Sequence, residues 1–305
     1  MNCVKILDAD INATHNERID VSLKVRRDPI LSEFPDTSTG VCCLEGNYSI
    51  QVDDSFRPVI HPPRKVPVPL RDTVKLELDN MVKNGILVKV TEPTSWVSSV
   101  VIVKKRNGKI PVCLDPFWDL NRAIKGSRYP LPTIEKVATS LSGAKVFTFL
   151  DAKCGFWQVT FNEKSSHLTT MNTPFRRYRW LRMPFGINSA PEVWQQQVHE
   201  LLERLTGVEV IADEFLVCSF GDTNEAAIAS HHQNLKAFLG HAREANLVFN
   251  SEKLKLGQSQ VPFIAHLLTT EILKPDPSKI QAIVDYPVPT RTFFLGMVQY
   301  LAKFC

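Results

Sequence analysis

Between residues 208 and 218 two short β-rich runs, VEVI and FLVC, are separated only by Ala212, Asp213 and Glu214. So tight a connection has room for an antiparallel hairpin and none for the crossover that parallel strands need. The expected tip of that hairpin is acidic. A second apolar run, 145–151, reads as an alternating strand and also ends on a carboxylate, Asp151, in VFTFLD. Strand interiors disfavour Asp, and carboxylates are seldom left unpaired beside a core. Taken singly, Asp151 reads as a cap or ion-pair partner and Asp213-Glu214 as an ordinary polar turn. Brought together, they would offer the carboxylate oxygens that hard Mg²⁺ ions prefer, in the compact grouping that two-metal phosphoryl transfer uses.

The surrounding pattern mixes helices and hairpins irregularly, which points to an α+β fold and not to a doubly wound sheet. The spacing of Val74, Leu78, Met81 and Val82 predicts a helix over 71–84, with Gly85 placed for a left-handed cap. The run WVSSVVIVKKRNGKIPVCL reads as a hairpin turning at Asn107-Gly108 with a basic tip. Further helices are expected over 131–141, with Pro132 near its first turn and Gly143 behind it, and over 190–205. The latter is opened by Pro191, striped by Trp194, Val198, Leu201, Leu202 and Leu205, and ended by Gly207. Another helix is expected over 224–245, with Leu235, Phe238, Leu239 and Ala242 on one side. The proline-rich HPPRKVPVPL reads as an extended linker, because proline fixes φ and lacks a donor.

Composition sets outer limits. A chain of 305 residues, 44% of them apolar, can bury a large core. Its net charge of +4 is compatible with a polyanionic partner but is shared by many enzymes. The basic residues cluster at Lys104, Lys105, Arg106 and Lys109, and again at Arg176, Arg177, Arg179 and Arg182. Seven scattered cysteines show no CxxC pair and no zinc-finger spacing, so a disulfide framework or structural zinc does not follow. Reduced, buried thiols in a cytoplasmic or nuclear compartment are expected. No signal-peptide core and no run of about 18 apolar residues is present, so neither secretion nor a membrane partner is expected.

Around the acidic positions, LDAKCGFWQV, TTMNTPFRRYRWLRMPFGINSAPEVWQ and VEVIADEFLV follow one another in the order and spacing of the reverse transcriptases of gypsy-type LTR retrotransposons. GNYSIQVDDSFRPVIHPPRKVPVPLRDTVKLELDNMVKNGIL resembles the segment that joins protease to polymerase in those Pol polyproteins. LKPDPSKIQAIVDYPVPT and FLGMVQYLAKF resemble the region beyond the palm. The resemblance covers nearly all of the chain after its first forty-odd residues.

It implies an RNA-directed DNA polymerase with a right-hand fold, in which an antiparallel palm sheet is backed by helices. Residues 1–60 would be the N-terminal linker segment, 61–270 fingers and palm, and 271–305 the start of a truncated thumb; no ribonuclease H or integrase module is expected in the chain. The implied partners are a primer on an RNA or DNA template and dNTPs, and the implied cofactor is Mg²⁺, with Mn²⁺ as an alternative. Asp151, Asp213 and Glu214 would be the catalytic carboxylates, with Asp151, Asp213 and the Ala152 carbonyl on the metal. Phe156 would lie under the incoming sugar, where a flat ring leaves no room for a 2′-OH. Phe185 and Gly186 would line the nucleotide, Lys104 and Lys105 would hold triphosphate oxygens, and Lys253 would protonate the departing pyrophosphate. VPFIAHLLT resembles the hairpin that grips the primer terminus.

Several positions depart from the family pattern. Glu214 stands where a second aspartate is usual, adding a methylene beside a site that tolerates little displacement. Pro111 occupies the place of an arginine that would grip triphosphate, and Phe117-Trp118 replaces another with one residue added; proline offers neither charge nor donor. Arg176 replaces a glycine, which predicts strain of roughly 1–2 kcal/mol if that turn needs a positive φ, and Ala265 replaces another glycine. VPTRTFFLGM is several residues short. Two functions fit these features: a polymerase with weak or lost activity, in a degenerate or domesticated copy, or a catalytically dead protein that retains nucleic-acid binding.

Overall fold

The computed structural model describes residues 30, 32–40, 43–102, 110–116, 119–270 and 273–285. Its principal helices are α1 (Arg71–Lys83), α2 (Ile134–Ser140), α3 (Ala190–Leu202) and α4 (Asn224–Glu244). The strands used below are β1 (Leu87–Lys89), β2 (Ser99–Ile102), β3 (Val112–Asp115), β4 (Val146–Asp151), β5 (Met171–Asn172) and β6 (Arg177–Trp180). They continue with β7 (Val208–Ile211), β8 (Glu214–Ser219), β9 (Lys255–Gln258), β10 (Val261–Phe263), β11 (His266–Leu268) and β12 (Leu273–Pro275).

The central sheet has four strands in the order β9-β4-β8-β7, all antiparallel. Small antiparallel sheets surround it: β1-β6-β5, β2-β3 and β10-β11-β12. The α+β class is therefore as expected. One face of the central sheet meets α3 and α4, where Phe215 on β8 lies 6.0 Å from Phe238 and 5.2 Å from Phe249 between ring centroids. The other face carries Phe147, Phe149, Leu216 and Cys218 against α2 and the β10-β11 hairpin. Because both faces are covered, all six residues of β4 are buried, and the expected alternation does not appear. Burying each large apolar side chain there stabilises by roughly 1.5–3 kcal/mol.

Local signals placed the helices well. α1 buries Val74, Leu78 and Met81, with Gly85 at φ 65 behind it. α2 starts only after Pro132, capped by Thr133, whose side chain accepts from the Lys136 N–H. α4 begins with Thr223 accepting from the Ala226 N–H. Strands β2 and β3 pair from Ser99↔Asp115 to Ile102↔Val112, as expected of a hairpin, while its tip, with Lys104, Lys105 and Asn107-Gly108, lies outside the described residues.

Other expectations need correction. Phe34, Leu44 and Ile50 of the N-terminal segment and Val66 of the proline-rich run join the main core. The acidic turn holds Ala212 and Asp213 only, because Ile211 pairs with Glu214 and so makes Glu214 the first residue of β8. Arg176 is not among the residues with positive φ, so no strain arises there. Thr173 closes that turn, its hydroxyl accepting from the backbone N–H groups of Phe175 and Arg176. Of the described cysteines only Cys218 is buried, and Cys154 is exposed. Among the described residues no helix is long and apolar enough to cross a membrane.

Candidate active site

The site forms where β4 ends beside the β7-β8 turn. The register sets Asp151 directly opposite Glu214. One step on, the Ala152 N–H donates to the Asp213 carbonyl at 2.7 Å, which ties the two acidic segments together. Carboxylates from two distant parts of the chain, Asp151 and the adjacent Asp213 and Glu214, thus come to the same end of the two central strands. Their side chains go different ways. Lys253 Nζ donates to Asp151 Oδ1 at 2.9 Å and to Oδ2 at 2.8 Å. Glu214 Oε2 accepts from the Ile264 N–H at 2.7 Å, at the tip of the β10-β11 hairpin. Asp213 Oδ1 is buried without a hydrogen-bond partner among the described residues. It lies so close to Gly155 that a Cβ there would come within 2.3 Å of it.

Electrostatics follow from this crowding. Burial, reinforced by the charge of Asp151, pushes the Asp213 carboxyl up from 3.8 to about 6; Lys253 opposes the shift and Glu214 adds to it. Glu214 is also raised, chiefly by burial, against the lowering effect of the Ile264 N–H. A carboxylate that is buried, unpartnered and costly to ionise calls for a cation. Among the described residues no three His, Cys, Asp or Glu side chains are grouped as a metal cage. Mg²⁺ does not require one, since it is commonly held by one or two carboxylates with substrate phosphates and water. The all-oxygen donor set and the orphaned Asp213 Oδ1 fit such an ion.

The wall beside the carboxylates is built from a 3₁₀ turn, Gly155–Gln158, that follows β4. Gln158 pins it from within: its Nε2 donates to the Val248 carbonyl at 2.8 Å and its Oε1 accepts from the Val248 N–H at 3.0 Å. Phe156 is thereby held 5.2 Å from Phe185, centroid to centroid. Gly186 has φ 112, and a Cβ there would lie 2.2 Å from the Leu114 carbonyl oxygen. Only glycine meets both conditions. The Leu114 N–H donates to the Phe185 carbonyl, and Asn121 Nδ2 donates to the Gly186 carbonyl at 2.8 Å, so the loop is fastened to β3.

Asp151, Ala152, Asp213, Glu214 and Lys253 thus meet at one place, and Phe156, Phe185 and Gly186 form the adjoining wall. Lys104, Lys105 and Phe117-Trp118 lie outside the described residues. Pro111 stands just before β3 and is partly buried. Ala265 has φ 60 and Ile264 φ 45, so the turn that presents the Ile264 N–H to Glu214 is strained. Sequence reading missed Gly155, Trp194 and Gln195. Trp194 Nε1 donates to the Ala212 carbonyl at 2.7 Å, and Gln195 is wholly buried beside the same turn. A lone glycine gave no signal, and Gln195 was hidden in a run of three glutamines that looks solvent-facing.

Comparison with known proteins settles the family. The model for "Reverse transcriptase (RNA-dependent DNA polymerase)" matches residues 103–268, more than half of the chain. The chain belongs to the reverse transcriptase family. It is 32% identical over 249 residues to a retrovirus-related Pol polyprotein from the Drosophila melanogaster transposon opus, covering 78% of this chain and 24% of that one. It is 27% identical over 243 residues to the Pol polyprotein of the transposon gypsy from the same organism, covering 76% and 23%. These relatives agree with the gypsy-type resemblance, and this reverse transcriptase chain spans about a quarter of their length. Its fold resembles that of the foamy viral protease-reverse transcriptase in complex with RNA/DNA hybrid, with TM-score 0.78 and 17% identity over 99% of this chain and 40% of that chain. The right-hand polymerase architecture expected from the sequence is therefore the fold of this chain.

Proposed function

We propose that this chain is the polymerase part of a retroelement Pol protein, adding dNTPs to a primer paired with an RNA or DNA template, with a weakened nucleotide grip. The observation that carries this reading is the register that sets Asp151 opposite Glu214 and beside Asp213. Asp151, Asp213 and the Ala152 carbonyl would hold Mg²⁺. When bound, the ion neutralises triphosphate charge and makes the primer 3′-hydroxyl a better nucleophile. Lys253 neutralises Asp151 until that cation arrives and is then free to protonate the leaving pyrophosphate. The Phe156-Phe185 wall lies under the sugar and excludes a ribose 2′-OH. Lys104 and Lys105 would clasp the triphosphate, without the arginine that Pro111 displaces.

A second reading, binding without chemistry, draws on Glu214: its carboxylate is held by the Ile264 N–H, and Pro111 supplies no charge. Primer extension on an RNA template with Mg²⁺ separates the two. The expected result is weak extension that Asp213→Asn abolishes and Pro111→Arg strengthens. Salt-sensitive hybrid binding with no extension in any variant would favour binding alone and overturn the polymerase reading.

A further inference from the structure

The catalytic turn is held from behind by a chain of hydrogen bonds that reaches a cavity outside the site. Gln195 on α3 grips the incoming side of the turn: its Nε2 donates to the Val210 carbonyl at 2.9 Å, and its Oε1 accepts from the Ala212 N–H at 2.8 Å. Gln195 Nε2 also lies 2.7 Å from His199 Nε2. His199 Nδ1 in turn lies 2.9 Å from the Tyr129 hydroxyl. The imidazole lines a cavity of about 390 Å³ with Tyr129, Glu200, Glu203 and Glu209, which are the titratable groups that share it. Glu209 is engaged there by the Ser140 hydroxyl at 2.6 Å.

The polarity of the backbone fixes the protons in this chain. A carbonyl only accepts and an N–H only donates, so Val210 and Ala212 dictate which end of the Gln195 amide faces each of them. The second hydrogen on Gln195 Nε2 then points at His199 Nε2, which must accept. The network is complete when His199 is neutral and its proton sits on Nδ1, donating to the Tyr129 oxygen. Protonation at Nε2 would set donor against donor at that contact. The amide could escape only by turning, and turning would strip the Ala212 N–H of its acceptor. Ala212 is a non-glycine residue at φ 53, a conformation that needs such restraint.

We propose that His199, acting through Gln195, is a positioning residue for the catalytic turn: only its neutral form completes the network that holds Ala212 and so presents Asp213. The inference rests on the polymerase reading for its functional consequence, while its structural part can be measured without it. Among the described residues the side-chain hydrogen bonds of His199 and Gln195 go to Tyr129, Val210 and Ala212 and to each other.

The test is amide hydrogen exchange of the whole chain by NMR, with the protein taken from about pH 8 to about pH 5.5. Protection of the Ala212 amide should fall about tenfold on the acid side, as expected when a buried donor loses its acceptor, while Val217 in the middle of β8 stays protected. In His199→Asn, which cannot gain a proton, the acid step should vanish. His199→Phe, which offers no acceptor, should lower Ala212 protection at every pH. An Ala212 protection that ignores pH, or that falls only in parallel with Val217, overturns the proposal. Extension assays on the same samples should show kcat falling through the acid step with KM for template-primer unchanged. Failure of all extension would sink the polymerase reading and leave the exchange result to stand or fall alone.

Discussion

Asp213→Asn should make this protein more stable at neutral pH while removing its chemistry. The carboxyl of Asp213 is pushed up from 3.8 to about 6 by burial and by Asp151, so the folded state binds its proton more tightly than the unfolded chain. The stability contributed by that proton is fully present below pH 3.8 and is lost as pH rises through about 6. Above that window the native state carries the whole penalty of an ionised, unpartnered carboxylate. A shift of about two units corresponds to a ceiling of about 3 kcal/mol, and partial exposure and screening reduce it to about 1–2 kcal/mol. Asparagine keeps the shape and never ionises. Urea unfolding at pH 8 should therefore give a higher midpoint for the variant at unchanged m-value, and the gap should close near pH 4. Added Mg²⁺ at pH 8 should raise the wild-type midpoint more than the variant's, because only the wild type keeps the full carboxylate set. A variant that is less stable at pH 8, or whose gain is the same at both pH values, would refute the reasoning.

Other consequences follow from single positions. His231 is wholly buried between Thr148 and Ser219, and burial pulls its imidazole down from 6.5 to about 4. Stability should thus decline as pH falls from 6.5 towards 4, by up to about 3 kcal/mol, and His231→Gln should flatten that slope in acid unfolding curves. Ala265→Gly should raise the unfolding free energy by roughly 1 kcal/mol by relieving a left-handed alanine; a loss of stability would contradict the strain. Gly186→Ala should destabilise by about 2 kcal/mol or more, because the new methyl meets the Leu114 oxygen, and nucleotide binding should weaken with it.

What the sequence determined by itself is local. Caps, prolines and apolar spacing placed α1 and α4 to within a residue or so, since helix signals are read within a few turns. The motifs around Asp151, Phe156, Phe185-Gly186 and Asp213 named the candidate site residues through the family resemblance, which motif order along the chain is enough to carry. Only the tertiary structure decided the rest. Whether Asp213 or Glu214 stands opposite Asp151 depends on strand register, which is set by packing on both faces of the sheet and not by either strand alone. The pairing of Lys253 with Asp151 depends on β9 joining the edge of β4. Gln195 becomes a clamp only when α3 docks behind the turn and brings its amide to the Ala212 N–H and the Val210 carbonyl. Such contacts join residues far apart in the chain, and only the folded geometry brings them within hydrogen-bonding distance.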